Sequence, residues 1–193
     1  MKGNLLRGDL VRLTHEDPEI LAKIESQFHY NSEYCRLLDW EPARHFSPQT
    51  VQKWIEKQYD NPNEFSFTIR LLSDDRIIGG IGLDGVNWAN RDTFVGIGLG
   101  EKEDWGKGYG TDAMRVILRY AFTELNLRRV SLDVFEYNPR GVRSYEKVGF
   151  VVEGRVRGLI QREGRRWDVI FMGILREEWM KQQEQKGEIW TTN

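Results

Sequence analysis

Between residues 93 and 125 the sequence commits to one local arrangement, and the rest of the chain has to be built around it. Thr93–Gly100 reads TFVGIGLG, with glycine at 96, 98 and 100. Period two puts Val95, Ile97 and Leu99 on one face of a strand and only hydrogens on the other. A bare strand face invites close approach, by a ligand or by another element. Then comes DWGKGYG, with glycines at 106, 108 and 110, and after it Thr111–Leu125. There Ala113, Met114, Ile117, Tyr120, Ala121 and Leu125 make a helical apolar stripe. A glycine loop therefore opens onto a helix N-terminus. Free amides and the helix dipole favour an anion there, and glycines let several amides turn toward one phosphate. The expectation is a phosphate cradle over Gly106–Gly110, not a plain connection.

The kind of phosphate is narrowed by spacing. A Walker A loop needs four residues between its first glycine and Gly-Lys, then Ser or Thr. Here five separate Gly100 from Gly106, and Gly108 follows Lys107, so that pattern fails. Gly108-Tyr109-Gly110-Thr111-Asp112-Ala113 does satisfy G-x-G-x-x-A, with Asp133 on the next strand as a ribose partner. However, Glu101–Lys107 separates these glycines from the strand, and only one βαβ-like unit is present. A dinucleotide site stays open as the weaker reading.

The other segments suggest a mixed sheet. Leu10–Leu13 reads as a strand and Pro18–Gln27 as a helix capped by Asp17. Phe28–Phe46 is aromatic and polar and is read as irregular. Ser47 caps a second helix that ends at Asn61-Pro62. Phe65 onward gives three strands of an antiparallel meander. Past the glycine loop and its helix come the strand RRVSLDVF, a short helix opened by Asn138-Pro139 and closed by Gly149, two strands, and a helix over 177–185. The order β-α-α-β-β-β-α-β-α-β-β-α describes an α/β (α+β) domain on one sheet. Residues 1–180 are taken as one domain and 181–193 as a tail, a division that 193 residues suit.

Composition excludes several classes. Lys and Arg total 28 against 30 Asp and Glu, a net charge of −2, which argues against a nucleic-acid partner. The single Cys35 excludes an internal disulfide and a cysteine-rich zinc site, and fits a reducing cytoplasmic location. No apolar run approaches the ~20 residues of a membrane span, and MKGNLLRGDLVRL lacks the apolar core of a signal peptide. His15, His29 and His45 show no ligand spacing, so no metal is expected. Cys35 has no base that the sequence places beside it.

DWGKGYGTDAM together with RRVSLDVFEYNPRGVRSYEKVGFVVEG resembles the GNAT superfamily of acyl-CoA-dependent N-acyltransferases, nearest to its Rim-type ribosomal-protein and polyamine acetyltransferases. The likeness runs from about Leu5 to Trp179. It implies a three-layer fold whose bent, mostly antiparallel sheet of about seven strands splays at an acetyl-CoA site. The cofactor residues it implies are Ile97, Gly98 and Leu99 on the strand, Trp105, Gly106, Lys107, Gly108, Tyr109, Gly110 and Thr111 at the loop, and Asn138. Tyr145 would stand near the sulfur and return a proton to it. Asn138 and Tyr145 are seven apart, about two turns, and so share a side of one helix; alone, they would read as an N-cap and a core aromatic.

Two positions depart from the family. Trp105 replaces a usual Gln or Arg. Thr93-Phe94 occupies the stretch where many relatives carry a glutamate base, leaving Asp84, Glu101 and Asp168 as carboxylates of undecided role. Gln27–Phe46 is expected to help form an acceptor site for a primary amine, which is a protein N-terminus, a polyamine or another small amine. A homodimer is expected from relatives only. A non-catalytic acyl-CoA-binding protein and an NAD(P)-dependent oxidoreductase are the alternatives.

Overall fold

A computed structural model describes residues 4–187. Seven strands, β1 (Val11–Thr14), β2 (Phe65–Leu71), β3 (Ile77–Asn87), β4 (Asp92–Leu99), β5 (Arg129–Phe135), β6 (Val151–Arg162) and β7 (Arg165–Leu175), form one sheet in the order β1-β2-β3-β4-β5-β7-β6. Six helices accompany them: α1 (Pro18–Phe28), α2 (Ser32–Leu38), α3 (Pro48–Tyr59), α4 (Tyr109–Thr123), α5 (Pro139–Val148) and α6 (Arg176–Gln185). The mixed, mostly antiparallel sheet agrees with the sequence reading.

The strand and helix codes act locally as expected. Asp17 accepts from the amides of Glu19 and Ile20, and Ser47 accepts from Thr50, each before a proline in the first turn. Ile117, Leu118, Ala121 and Phe122 of α4 are fully buried in one core with Val130, Leu132 and Val134 of β5, Val11 of β1, and Ile69 and Leu83 of the meander. Burying a side chain of this kind contributes roughly 1.5–3 kcal/mol each, so the α4 face of the sheet holds most of the core.

Three differences have physical causes. Phe28–Phe46 is not wholly irregular: α2 lies inside it, seven residues long, with the Asn31 side chain accepting from the amides of Glu33 and Tyr34. A helix this short gives little periodicity to read, although Asn31 and Glu33 are an N-cap and a first-turn acid. Helix α6 buries Trp179 and Gln183, with Trp179 5.5 Å from the Phe122 ring. The packed chain thus runs past residue 180, where a tail was expected; residues 188–193 of that tail lie outside the described residues. Lastly, Asp112 in the first turn of α4 is 4% exposed. It accepts from the amides of Asp9, Leu10 and Val11, the last two at 2.8 and 3.0 Å. Nothing in the spacing signals that this carboxylate holds the start of β1 onto α4.

Among the described residues no helix is long and apolar enough to cross a membrane.

Candidate active site

Strands β4 and β5 are the parallel pair of this sheet, and they touch only briefly. Their register runs Asp92↔Arg129, Thr93↔Val130 and Phe94↔Ser131, and then stops. Beyond Phe94, β4 stays with β3 while β5 stays with β7. The Gly100 amide donates to the Ile78 carbonyl at 3.0 Å, and the register pairs Gly98 with Gly80 and Gly96 with Gly82. Bonding in an antiparallel pair alternates. The peptide groups of Gly96 and Gly98 therefore face β3, and those of Ile97 and Leu99 face the gap that β5 has left. The Leu99 carbonyl is taken by the Trp105 indole N–H at 2.7 Å; the Ile97 groups look into a cleft.

That cleft has a volume of about 580 Å³. One wall is Ile97, Gly98 and Leu99. Its end is Trp105, Gly106, Gly108, Gly110 and Thr111, and the opposite wall is α5 with Asn138 and Tyr145. Lys107 and Tyr109 are absent from this lining: Lys107 is exposed, and Tyr109 packs on the main core. Tyr34, Leu37 and Leu38, from the Gln27–Phe46 segment expected at the acceptor site, also line it, and Arg140, Gly141, Arg143, Ser144 and Lys147, which the sequence did not single out, complete the lining. Arg140, Arg143 and Lys147 fall on the first turn, the middle and the last turn of α5, an arginine and lysine series that could have been read as phosphate chemistry.

The loop turns on glycines into an uncapped helix start. Gly106 and Gly108 have φ of +76° and +91°, and Gly108 precedes α4 with no side chain capping the helix. Residues with side chains adopt that conformation only with strain. A Cβ on Gly106 would meet nothing within 4 Å, so the glycine serves the backbone turn, not packing. The loop is pinned from below by Asp104, 1% exposed, in a two-armed pair with Arg76 at 2.8 Å on each arm. The hydrogen bond from Arg76 holds the Asp104 carboxyl below the usual carboxylate range. Trp105, in place of a polar side chain, ties the loop to β4 and lies under the Arg140 guanidinium, 4.2 Å from its ring centre.

Asn138 caps α5, its side-chain oxygen accepting from the Gly141 amide at 2.9 Å, and it also lines the cleft. Tyr145 is packed beside Phe150. Burial, and then the Asp133 charge, push its phenol up to about 12.

The bare face of β4 meets another element after all, at least in part. A Cβ on Gly98 would lie 3.0 Å from Tyr34 Oη and from Leu38, and one on Gly100 would overlap the Phe28 ring. Gly96 remains exposed. Of the three carboxylates, Asp168 accepts from the Gly158 amide at 2.9 Å and lies near Arg155, while Glu101 is exposed before the short turn Lys102–Asp104. Only Asp84 reaches this face, with one oxygen 3.4 Å from where a Gly96 Cβ would stand. Asp84 keeps an exposed edge, yet the atoms around its carboxyl withdraw enough water to push it above the usual carboxylate range, and Glu64 adds to the rise. Cys35 does have a base nearby, His29 Nδ1 at 3.6 Å. Burial raises the thiol and lowers the imidazole, and both shifts work against a thiolate–imidazolium pair. Among the described residues no group of three His, Cys, Asp or Glu is placed to hold a metal ion.

Residues 7–151, which include the whole cleft, match the family described as "Acetyltransferase (GNAT) domain". The chain belongs to the GNAT acetyltransferase family. Among GNAT relatives, it is 32% identical over 174 residues to an uncharacterized SPbeta prophage-derived N-acetyltransferase of Bacillus subtilis (strain 168), covering 89% of this chain and 93% of the relative. It is 34% identical over 144 residues to spermidine N(1)-acetyltransferase of Vibrio cholerae, covering 68% and 83%. The crystal structure of the Vibrio cholerae spermidine N-acetyltransferase with CoA and spermine superposes with a TM-score of 0.77 at 26% identity, covering 88% of this chain and 97% of that one. GNAT membership displaces the dinucleotide reading of Gly108–Ala113. Asp133, the ribose partner of that reading, instead accepts from the Trp40 indole N–H at 3.1 Å.

Proposed function

We propose that this protein transfers an acetyl group from acetyl-CoA to a primary amine. The observation that carries the reading is the continuity of the cleft. It runs from an uncapped helix N-terminus, past the unpaired peptide groups of Ile97, to the phenol of Tyr145. These residues fit the cosubstrate by chemistry. The amides after Gly106 and Gly108, with Arg140, Arg143 and Lys147, suit phosphate groups. The Ile97 amide and carbonyl suit an amide-bearing arm, and Gly98, Leu38 and Tyr34 leave a narrow passage to the other face of the sheet. Acetyl-CoA supplies an activated thioester carbonyl. The chain's part is to orient it, to exclude water and to offer hydrogen bonds where charge develops. Tyr145 Oη–H is the donor aimed at the departing sulfur. With the phenol held near 12 against a thiol near 8.5, it contributes a strong hydrogen bond more than a completed proton transfer.

The acceptor reaches the site from the α1–α2 side, where Tyr34, Leu38 and Asp84 lie. The spermidine acetyltransferases among the relatives support a small amine as acceptor, and a cytoplasmic location accompanies the reading. Acetyl-CoA at about 100 times its dissociation constant adds roughly 2.7 kcal/mol of stability, or about 5–10 °C for a domain of this size. That shift is expected with acetyl-CoA and CoA and not with NADH or NADPH, together with thiol release when an amine is added. Stabilisation without thiol release across a broad amine panel supports instead the non-catalytic acyl-CoA-binding reading, which the Phe94 substitution favours.

A further inference from the structure

Four adjacent positions on one face of the sheet carry no side chain: Gly80 and Gly82 of β3, paired with Gly98 and Gly96 of β4. Two carboxyls lean over this floor. A Cβ on Gly80 would stand 3.4 Å from Glu25 Oε1 of α1, and Cβ atoms on Gly82 and Gly96 would stand 3.5 and 3.4 Å from the two oxygens of Asp84. Among the described residues neither carboxyl has a cation or a hydrogen-bond donor; desolvation dominates both, pushing Glu25 up to about 7.

The walls add two polar groups that are themselves unmatched. Tyr34 is 8% exposed, sits over Gly98, and has no hydrogen-bond partner for its hydroxyl among the described residues. Thr68, 1% exposed, pairs with Gly80 across β2 and β3, and its buried hydroxyl also has no partner. The Thr68 hydroxyl, withdrawn from water without a partner, destabilises the fold unless something arrives to match it; Tyr34 lines the open cleft, where its hydroxyl is free to take a ligand. At the open end Phe94, the cross-strand partner of Asp84, shows 48% of its surface.

Spacing says what fits. Gly80 and Gly82 are two residues apart along β3, about 7 Å, and the carboxyls above them are separated on that order. A monocation neutralises one and leaves the other charged and poorly hydrated. A molecule with two ammonium groups on a short hydrocarbon chain matches both, its methylenes lying on glycine hydrogens beside the Phe94 ring. We propose that this trough is the acceptor site and selects a short aliphatic diamine, one nitrogen against Asp84 and the other against Glu25. As an acceptor site it rests on the acetyl-transfer reading; as a diamine site it does not.

The test separates the two. Calorimetry on the full chain, with and without CoA, compares 1,4-diaminobutane with 1-aminobutane. Wild type is expected to bind the diamine at least tenfold more tightly, and Asp84→Asn and Glu25→Gln are each expected to bring the ratio toward one. Gly96→Ala puts a methyl on the floor where only Asp84 Oδ2 is near, at a φ that any residue adopts, and should weaken the diamine with the circular dichroism spectrum unchanged. Equal binding of the two amines by wild type, or an undiminished ratio in all three variants, overturns the proposal. Diamine binding without thiol release from acetyl-CoA leaves the diamine site standing and overturns its role as an acceptor site; the acetyl-transfer reading itself falls only if no amine of the broad panel releases thiol.

Discussion

Glu25 and Tyr145 are both governed by burial, with opposite consequences. Burial favours the proton-bound form of each acid. For Tyr145, held near 12, this keeps the phenol a donor throughout the range in which the protein is folded. Tyr145→Phe is expected to lower kcat for thiol release by roughly 10²-fold, the low end for a positioned proton donor, with the dissociation constant of acetyl-CoA unchanged within about twofold. A variant at the wild-type rate across pH removes Tyr145 from the chemistry. For Glu25 the effect is on stability. Its folded value of about 7 lies above its ordinary 4.5, so the folded chain holds the proton more tightly than the unfolded one. The associated stability is complete below pH 4.5 and lost as pH rises through 7. At pH 8 the wild type therefore carries an unmatched charge that Glu25→Gln lacks. The variant should be the more stable by up to about 3 kcal/mol at 1.36 kcal/mol per unit, and the gap in Tm should close by pH 4.5. A constant gap across pH assigns the effect to packing instead.

At the scale of elements, the decisive join is between α1–α2 and the glycine stripe of β4. Phe28, the last residue of α1, fills the space above Gly100, and Tyr34 and Leu38 of α2 fill that above Gly98. The stripe was readable as a surface something approaches closely, but not what approaches. The approaching groups lie roughly 60 to 70 residues earlier in the chain, and no local spacing connects them. Gly100→Ala should therefore cost about 1–3 kcal/mol through overpacking. Adding Phe28→Ala should remove most of that cost, so the double variant should lie close to Phe28→Ala alone in urea unfolding. Simple additivity of the two changes would show that they do not touch. The glycine loop was more legible than the stripe, because its geometry is local. Positive-φ glycines and a helix start are neighbours in sequence. Its anchoring by Asp104 and Arg76 was invisible, since a pair 28 residues apart leaves no pattern.

For the whole molecule, the sheet does the work by failing to close. Strand β5 leaves β4 after Phe94↔Ser131, and α5 with its cations lies across the opening. The cleft thus joins an electropositive end to a polar, acid-flanked trough through one unpaired stretch of β4. Charge at the cation end should act through phosphate. Arg143→Ala and Lys147→Ala are each expected to weaken acetyl-CoA roughly fivefold to tenfold, about 1 kcal/mol apiece. Both losses should shrink as salt rises from 0.05 to about 0.5 M, because these exposed side chains are screened. Losses that salt leaves unchanged would place the two residues in packing instead of phosphate binding.

The order of the strands and of every helix but α2, the loop over Gly106–Gly110, the cap at Asn138 and the family itself were settled by the sequence, because periodicity, capping and glycine spacing act between near neighbours. Helix α2, the anchoring of the loop, and the meeting of Glu25, Asp84 and Tyr34 over a glycine floor were settled only by the fold. These depend on the register that sets Gly80 opposite Gly98 and Gly82 opposite Gly96, and on where α1 and α2 come to rest. Register and docking are cooperative properties of the buried core, and no segment carries them alone.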